Sequence, residues 1–120
     1  MLDLIGMPYE LGAHPSSGKT DCIQLVYEVR KRLGLNCPPL QQAWYDGSRV
    51  KVLRALLTWG AETYAPLYDG DVALALQSTW AFGVVWQAGI LRISKLSQAV
   101  AWSPIDSHST HCRYFRGKSS

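Results

Sequence analysis

The chain has 120 residues, 48% hydrophobic and 18% charged, with a formal net charge of +3. That length allows a single domain, 1–120, and that composition gives it a core, which excludes disorder outside the Gly117-Lys118-Ser119-Ser120 tail. Basic residues are scattered apart from Arg30-Lys31-Arg32, and no basic stripe is interleaved with aromatics, which argues against nucleic acid as a partner. No run approaches the ~18 apolar residues of a membrane span. Met1-Leu2-Asp3 does not open a secretory leader, so synthesis in the cytoplasm is expected. Cys22, Cys37 and Cys112 are too few and too irregular for a disulfide framework and are expected as thiols.

Leu2, Leu4 and Ile5 read as a short helical lead-in that stops at Gly6-Met7-Pro8. Residues 12–20 are a loop rich in Gly, Ser and Pro. Thr20 or Asp21 caps the helix that follows, whose apolar positions Cys22, Leu25, Val26, Val29 and Leu33 recur at spacings of three and four. Gly34 stops it. Arg30-Lys31-Arg32 reads as a solvated helix end that complements the dipole. Asn36-Cys37-Pro38-Pro39 is a linker. Asp46-Gly47-Ser48 offers a turn and a cap for a second helix, with Val50, Leu53, Leu56 and Leu57 as its buried face and Gly60 beyond its end. Glu62–Tyr68 fits neither period.

From Gly70 the period changes to two. Residues 71–77, 81–86, 89–94 and 99–102 read as strands, with a hairpin turn at Gln87-Ala88-Gly89 and a loop at 95–98. Residues 113–116 read as a fifth strand, at an edge. Helices first and an antiparallel sheet second make an α+β layout without repeats.

Cys22 is the first chemical candidate. A turn-rich loop delivers it to the first turn of an amphipathic helix, where backbone N–H groups and the dipole favour a thiolate, the nucleophilic form. Asp21, just before it, suits capping better than chemistry. His14 lies in the preceding loop, and His108 and His111 lie in Asp106-Ser107-His108-Ser109-Thr110-His111-Cys112. The H-x-x-H-C run lacks a second ligand pair at zinc spacing, so no metal or other cofactor is expected. Cys37 and Cys112 read as structural thiols. Trp44, Trp59, Trp80, Trp86 and Trp102 are expected as core, with some on a contact surface.

Gly6-Met7-Pro8-Tyr9-Glu10-Leu11-Gly12, then Asp21-Cys22, then a helix ending in Leu33-Gly34, resembles the N-terminal signature of the NlpC/P60 cysteine peptidases. These are papain-like enzymes that cleave bacterial cell-wall peptides. The resemblance implies a papain-like α+β fold with the cysteine helix packed on a small curved sheet. It makes Cys22 the nucleophile position and sets Tyr9 near it as a thiol partner. Gly70-Asp71-Val72 matches the lead-in to the strand that carries the family's base histidine. In the register anchored by Gly83, however, Ala81 stands at the base position, and Arg92 stands at the third position on the next strand. Alanine has no proton to give, and arginine is a donor without an acceptor.

Two functions from different classes remain open. One is a module that has kept the fold and the cysteine but lost the base, acting as a structural or binding subunit of a larger assembly. Such stand-alone domains are similar to components of bacteriophage tail tips, which would place the chain in a virion. The other is an active cysteine endopeptidase on peptidoglycan stem peptides, with His14, His108 or His111 as substitute base.

Overall fold

The computed structural model describes residues 1–39, 45, 49–64, 66–75, 82–105 and 112–117. Two helices, α1 (Cys22–Arg32) and α2 (Arg49–Trp59), precede a six-stranded sheet of β1 (Gly60–Thr63), β2 (Val72–Ala75), β3 (Phe82–Trp86), β4 (Gly89–Ser94), β5 (Ala99–Pro104) and β6 (Cys112–Gly117). Single 3-10 turns at Leu2–Leu4 and Pro15–Ser17 precede α1. The strand order is β1-β6-β2-β3-β4-β5, and every neighbouring pair is antiparallel. The α+β layout expected from the change of period is therefore present.

Two differences from the expected strands share one cause. Residues 60–63 form β1, which continues directly from α2 and pairs with β6. This places β6 inside the sheet between β1 and β2, not at an edge. A four-residue strand with one buried position carries too little alternation to be read in isolation. Leu76 and Gln77, at the end of the expected strand 71–77, and the Asp46-Gly47-Ser48 turn lie outside the described residues.

Helix α1 packs its stripe of Ile23, Leu25, Val26 and Val29 against Val72, Leu74, Phe82, Val84, Leu91, Ile93 and Phe115. The opposite sheet face holds a smaller cluster of Ala73, Val85, Ile90 and Tyr114, with Leu67, Ile105 and Cys112 against it. Every residue of β2 is thus buried, small residues on one face and branched ones on the other. The helix ends as its glycine indicates. Gly34 has φ +74°, its N–H bonds to Lys31 O, and Leu35 N–H reaches back to Arg30 O at 2.9 Å, a Schellman closure.

Only part of the Arg30-Lys31-Arg32 run is solvated. Arg30 is fully buried. Its Nε donates to Asn36 O and its Nη1 to Gly70 O, both at 2.6 Å, and its guanidinium stacks over Trp59 at 4.8 Å. Burial lowers its pKa, while the Cys37 thiol and Asp71 act the other way. Arg32 instead forms surface ion pairs with Asp3 and Glu28.

The Gly70-Asp71-Val72 sequence also has a structural account. Gly70 has φ +96°, and a Cβ there would run into Leu35. Asp71 is buried and accepts from Arg116 Nε at 2.9 Å, Arg116 Nη2 at 2.7 Å and Tyr68 N–H at 2.9 Å. The motif therefore serves to join the start of β2 to β6.

The turn between β3 and β4 forms where expected, as a two-residue connection with both residues at positive φ, Gln87 (48°) and Ala88 (58°). Type I′ geometry suits the twist of the strands but strains residues with a Cβ. Ala88→Gly is therefore expected to stabilise the protein by about 0.5–1 kcal/mol in denaturant unfolding. A loss of stability would show that the turn is not held in this conformation.

Across β1 and β6, Arg113 grips Glu62 with Nε at 2.8 Å and Nη2 at 2.5 Å. This pair holds the Glu62 carboxyl below its usual range, against the opposing effect of burial. A carboxylate with a depressed folded pKa stabilises above its unfolded pKa and loses that contribution as pH falls. Stability should therefore drop between about pH 5 and 3, and less so in Glu62→Gln. Parallel acid-unfolding curves for the two proteins check this.

Candidate functional site

Cys22 owes its position to the two residues before it and to the Pro8-Tyr9 segment. Pro8 bridges Ala99 on the outer edge of β5, and Tyr9 bridges Thr20. Gly6 N–H donates to Val100 O at 2.8 Å and Tyr9 N–H to Gln98 O at 2.8 Å, while Thr20 N–H donates to Pro8 O at 3.0 Å. The entry to α1 is thereby fastened to the sheet. Thr20 and Asp21 are both buried.

Asp21 has extended backbone, φ −101° and ψ 179°, and caps α1. Its Oδ1 accepts from Gln24 N–H at 2.7 Å and its Oδ2 from Gly12 N–H at 2.8 Å. One carboxylate thus closes both the helix and the loop before it, as capping chemistry favours. Cys22 follows as the first helical residue, half-buried against the main core.

The charge of Cys22 acts on two phenols. The first is Tyr9. Its pKa is raised by burial and further by negative charge at Cys22 and Asp21. The second phenol, Tyr45, was not singled out from the sequence. It packs against the main core, and Gln24 Nε2 donates to its hydroxyl at 3.5 Å. Burial raises its pKa, the Gln24 hydrogen bond opposes this, and Asp21 and Cys22 add to the rise. Tyr45 lies on no periodic element and in no motif, so nothing local marks it; only the tertiary fold brings it to α1.

Other expected participants are elsewhere. His14 caps the 3-10 turn: its Nδ1 accepts from Ser16 N–H at 3.1 Å, and its Nε2 lies 3.5 Å from Glu28. Arg92 pairs with Gly83 on one side and Ala101 on the other, two residues from Ile90 on the same strand. It therefore lies on the Ile90 face of the sheet, away from α1. There its Nε donates to Ser103 Oγ at 3.3 Å, and its charge acts on Cys112. The structure does not bring Arg92 to Cys22. Ala81, His108, His111, Trp44 and Trp80 lie outside the described residues.

The three cysteines are thiols. Burial raises the pKa of Cys37, whose sulfur lies 3.7 Å from Tyr27 O, and that of Cys112. Among the described residues no cluster of His, Cys, Asp and Glu could hold a metal ion. Nor is any helix among them long and apolar enough to cross a membrane.

Comparison of the chain with protein-family models, with curated proteins and with solved structures gives no match. The chemistry of the site must therefore be read from its residues: a thiol at a capped helix start, two phenols, and a carboxylate occupied by backbone donors.

Removing that carboxylate takes the acceptor from two part-buried N–H groups at once. Asp21→Ala is expected to destabilise the protein by about 1–3 kcal/mol, read as a lower Tm. An unchanged Tm would mean that the carboxylate does not hold the loop to the helix.

Proposed function

We propose that this chain is a papain-like module of the NlpC/P60 type that retains the nucleophile position, Cys22, without the groups that would make it a peptidase. Its role is that of a binding or structural subunit of a larger assembly, such as a bacteriophage tail tip or baseplate. One observation carries the reading. Tyr9 and Tyr45, both with pKa values raised by burial, are two phenols on which the charge of Cys22 and Asp21 acts. A protonated phenol can donate a hydrogen bond to a thiolate, but it does not take the proton from a thiol near neutral pH. Arg92, at the third family position, lies on the far sheet face and has no lone pair to offer in any case. His14 has a partner at each ring nitrogen.

The alternative is an active endopeptidase on peptidoglycan stem peptides. It draws on Cys22 at the first turn of α1 with Tyr9 beside it. The two readings differ in turnover. A cysteine peptidase without base and acid loses about 10³-fold or more. Purified protein should therefore release no product from a synthetic stem tetrapeptide above background, while an alkylating reagent titrates Cys22 as a control for access. Turnover that disappears in Cys22→Ser would overturn the proposal. His14→Ala, His108→Ala and His111→Ala, tested singly, would then find the base.

A further inference from the structure

The apolar pattern of α2 marks Val50, Leu53, Leu56 and Leu57 as one buried face, and the fold divides them. Val52 and Leu56 enter the core, with Ala55 and Trp59 half-buried beside them. Val50 is 69% exposed and Leu57 43%. At 100° per residue, Val50, Leu53 and Leu57 fall within about 60° of one another; Val50 and Leu57 are exposed, and Leu53 between them is half-buried with one side against the main core. They line a shallow groove of about 350 Å³ together with Arg54 and Thr58.

Within α2 itself the charge has one sign. The helix sequence RVKVLRALLTW holds three basic residues and no acidic one. Arg54, Thr58 and Lys51 border the stripe along one flank. Lys51 and Arg54 are both exposed, and among the described residues neither joins the ion pairs made by Lys19, Arg32, Arg113 and Arg116.

We infer that this face of α2 is a docking surface for an acidic amphipathic helix of a partner protein. Apolar side chains at i, i+3 and i+7 form the ridge that packs against another helix. The basic flank selects a partner with carboxylates beside its own stripe. A second copy of this chain fits poorly, because α2 against α2 would set Lys51 and Arg54 against their like. A membrane surface fits poorly too: three aliphatic side chains without an aromatic give little insertable area, and interfacial binding scales with that area. The inference deepens the proposed role as an assembly subunit by specifying the partner's chemistry. It rests on α2 and not on Cys22.

The test uses the full chain and two synthetic helical peptides of about 18 residues, long enough to hold helix on a surface. Both carry the same leucine stripe, flanked by glutamates in one and by lysines in the other. Fluorescence anisotropy should show the glutamate peptide binding at least about tenfold tighter, with affinity falling as salt rises. Leu57→Glu should weaken it by about tenfold or more. The double variant Lys51→Glu with Arg54→Glu should reverse the order of the two peptides. All three changed positions are exposed, so the variants should keep the parental Tm.

Equal affinity for the two peptides, or binding untouched by Leu57→Glu, overturns the inference. So does a dimer in sedimentation that Leu57→Glu dissolves, or binding to phosphatidylglycerol vesicles that Leu57→Glu abolishes. The stem-peptide assay on the same preparation separates the two proposals. Binding with cleavage removes only the inactive-module reading, and neither binding nor cleavage removes only this surface.

Discussion

A buried guanidinium holds the two halves of the molecule together. Arg30 leaves the last turn of α1, fills the space beneath it, and gives its protons to the carbonyls of Asn36 and Gly70 while lying against Trp59 at the end of α2. Three segments far apart in sequence therefore meet on one side chain. A charge so placed is costly to desolvate, and its hydrogen bonds offset that cost. The second polar anchor lies close by. Asp71 follows the carbonyl that Arg30 grips, and it accepts from two nitrogens of Arg116 on β6. Helix, lead-in loop and central strands are thus connected through two arginines whose importance is invisible in a count of charges.

That framework explains how Cys22 is held. The sheet's outer edge at β5 recruits Met7–Tyr9, that segment recruits Thr20, and Asp21 then closes the helix start on both sides. Hydrogen bonds on both sides thus fix the backbone on which the Cys22 thiol sits. Phenols with raised pKa values are poor proton bases near neutral pH, and Arg92 on β4 lies on the opposite face of the sheet. Those two features are what support the inactive-module reading. The same molecule presents an apolar, basic-edged helix face on α2, where a binding subunit has use for it.

Much of this was legible in the chain. The α1 stripe, the Asp21 cap, the Gly34 stop, the β3–β4 turn and strand β4 all rest on local rules, such as side-chain period, capping chemistry and left-handed backbone, and these act over a few residues. Other features were not legible, each for a reason. β1 is too short to show a period. Tyr45 lies on no element. Arg30 sits in a basic run whose neighbour Arg32 is indeed at the surface, and about 200° of helix rotation separates burial from solvation. The leucines and valines of α2 show that a helix rich in apolar residues has more than one candidate face, and the core takes only one of them.

The sequence by itself determined both helices and most of the strands, where the cysteine helix begins and what caps it, because those choices are made by neighbours in the chain. It also determined that position 92 carries an arginine, a donor without an acceptor. Only the tertiary structure decided which sheet face Arg92 occupies, which phenols accompany Cys22, that Arg30 is interior, and which stripe of α2 remains outside. Those outcomes depend on strand register and on how the helices rotate against the sheet. Both are set by the packing of the whole core, and a shift of one residue reverses every face.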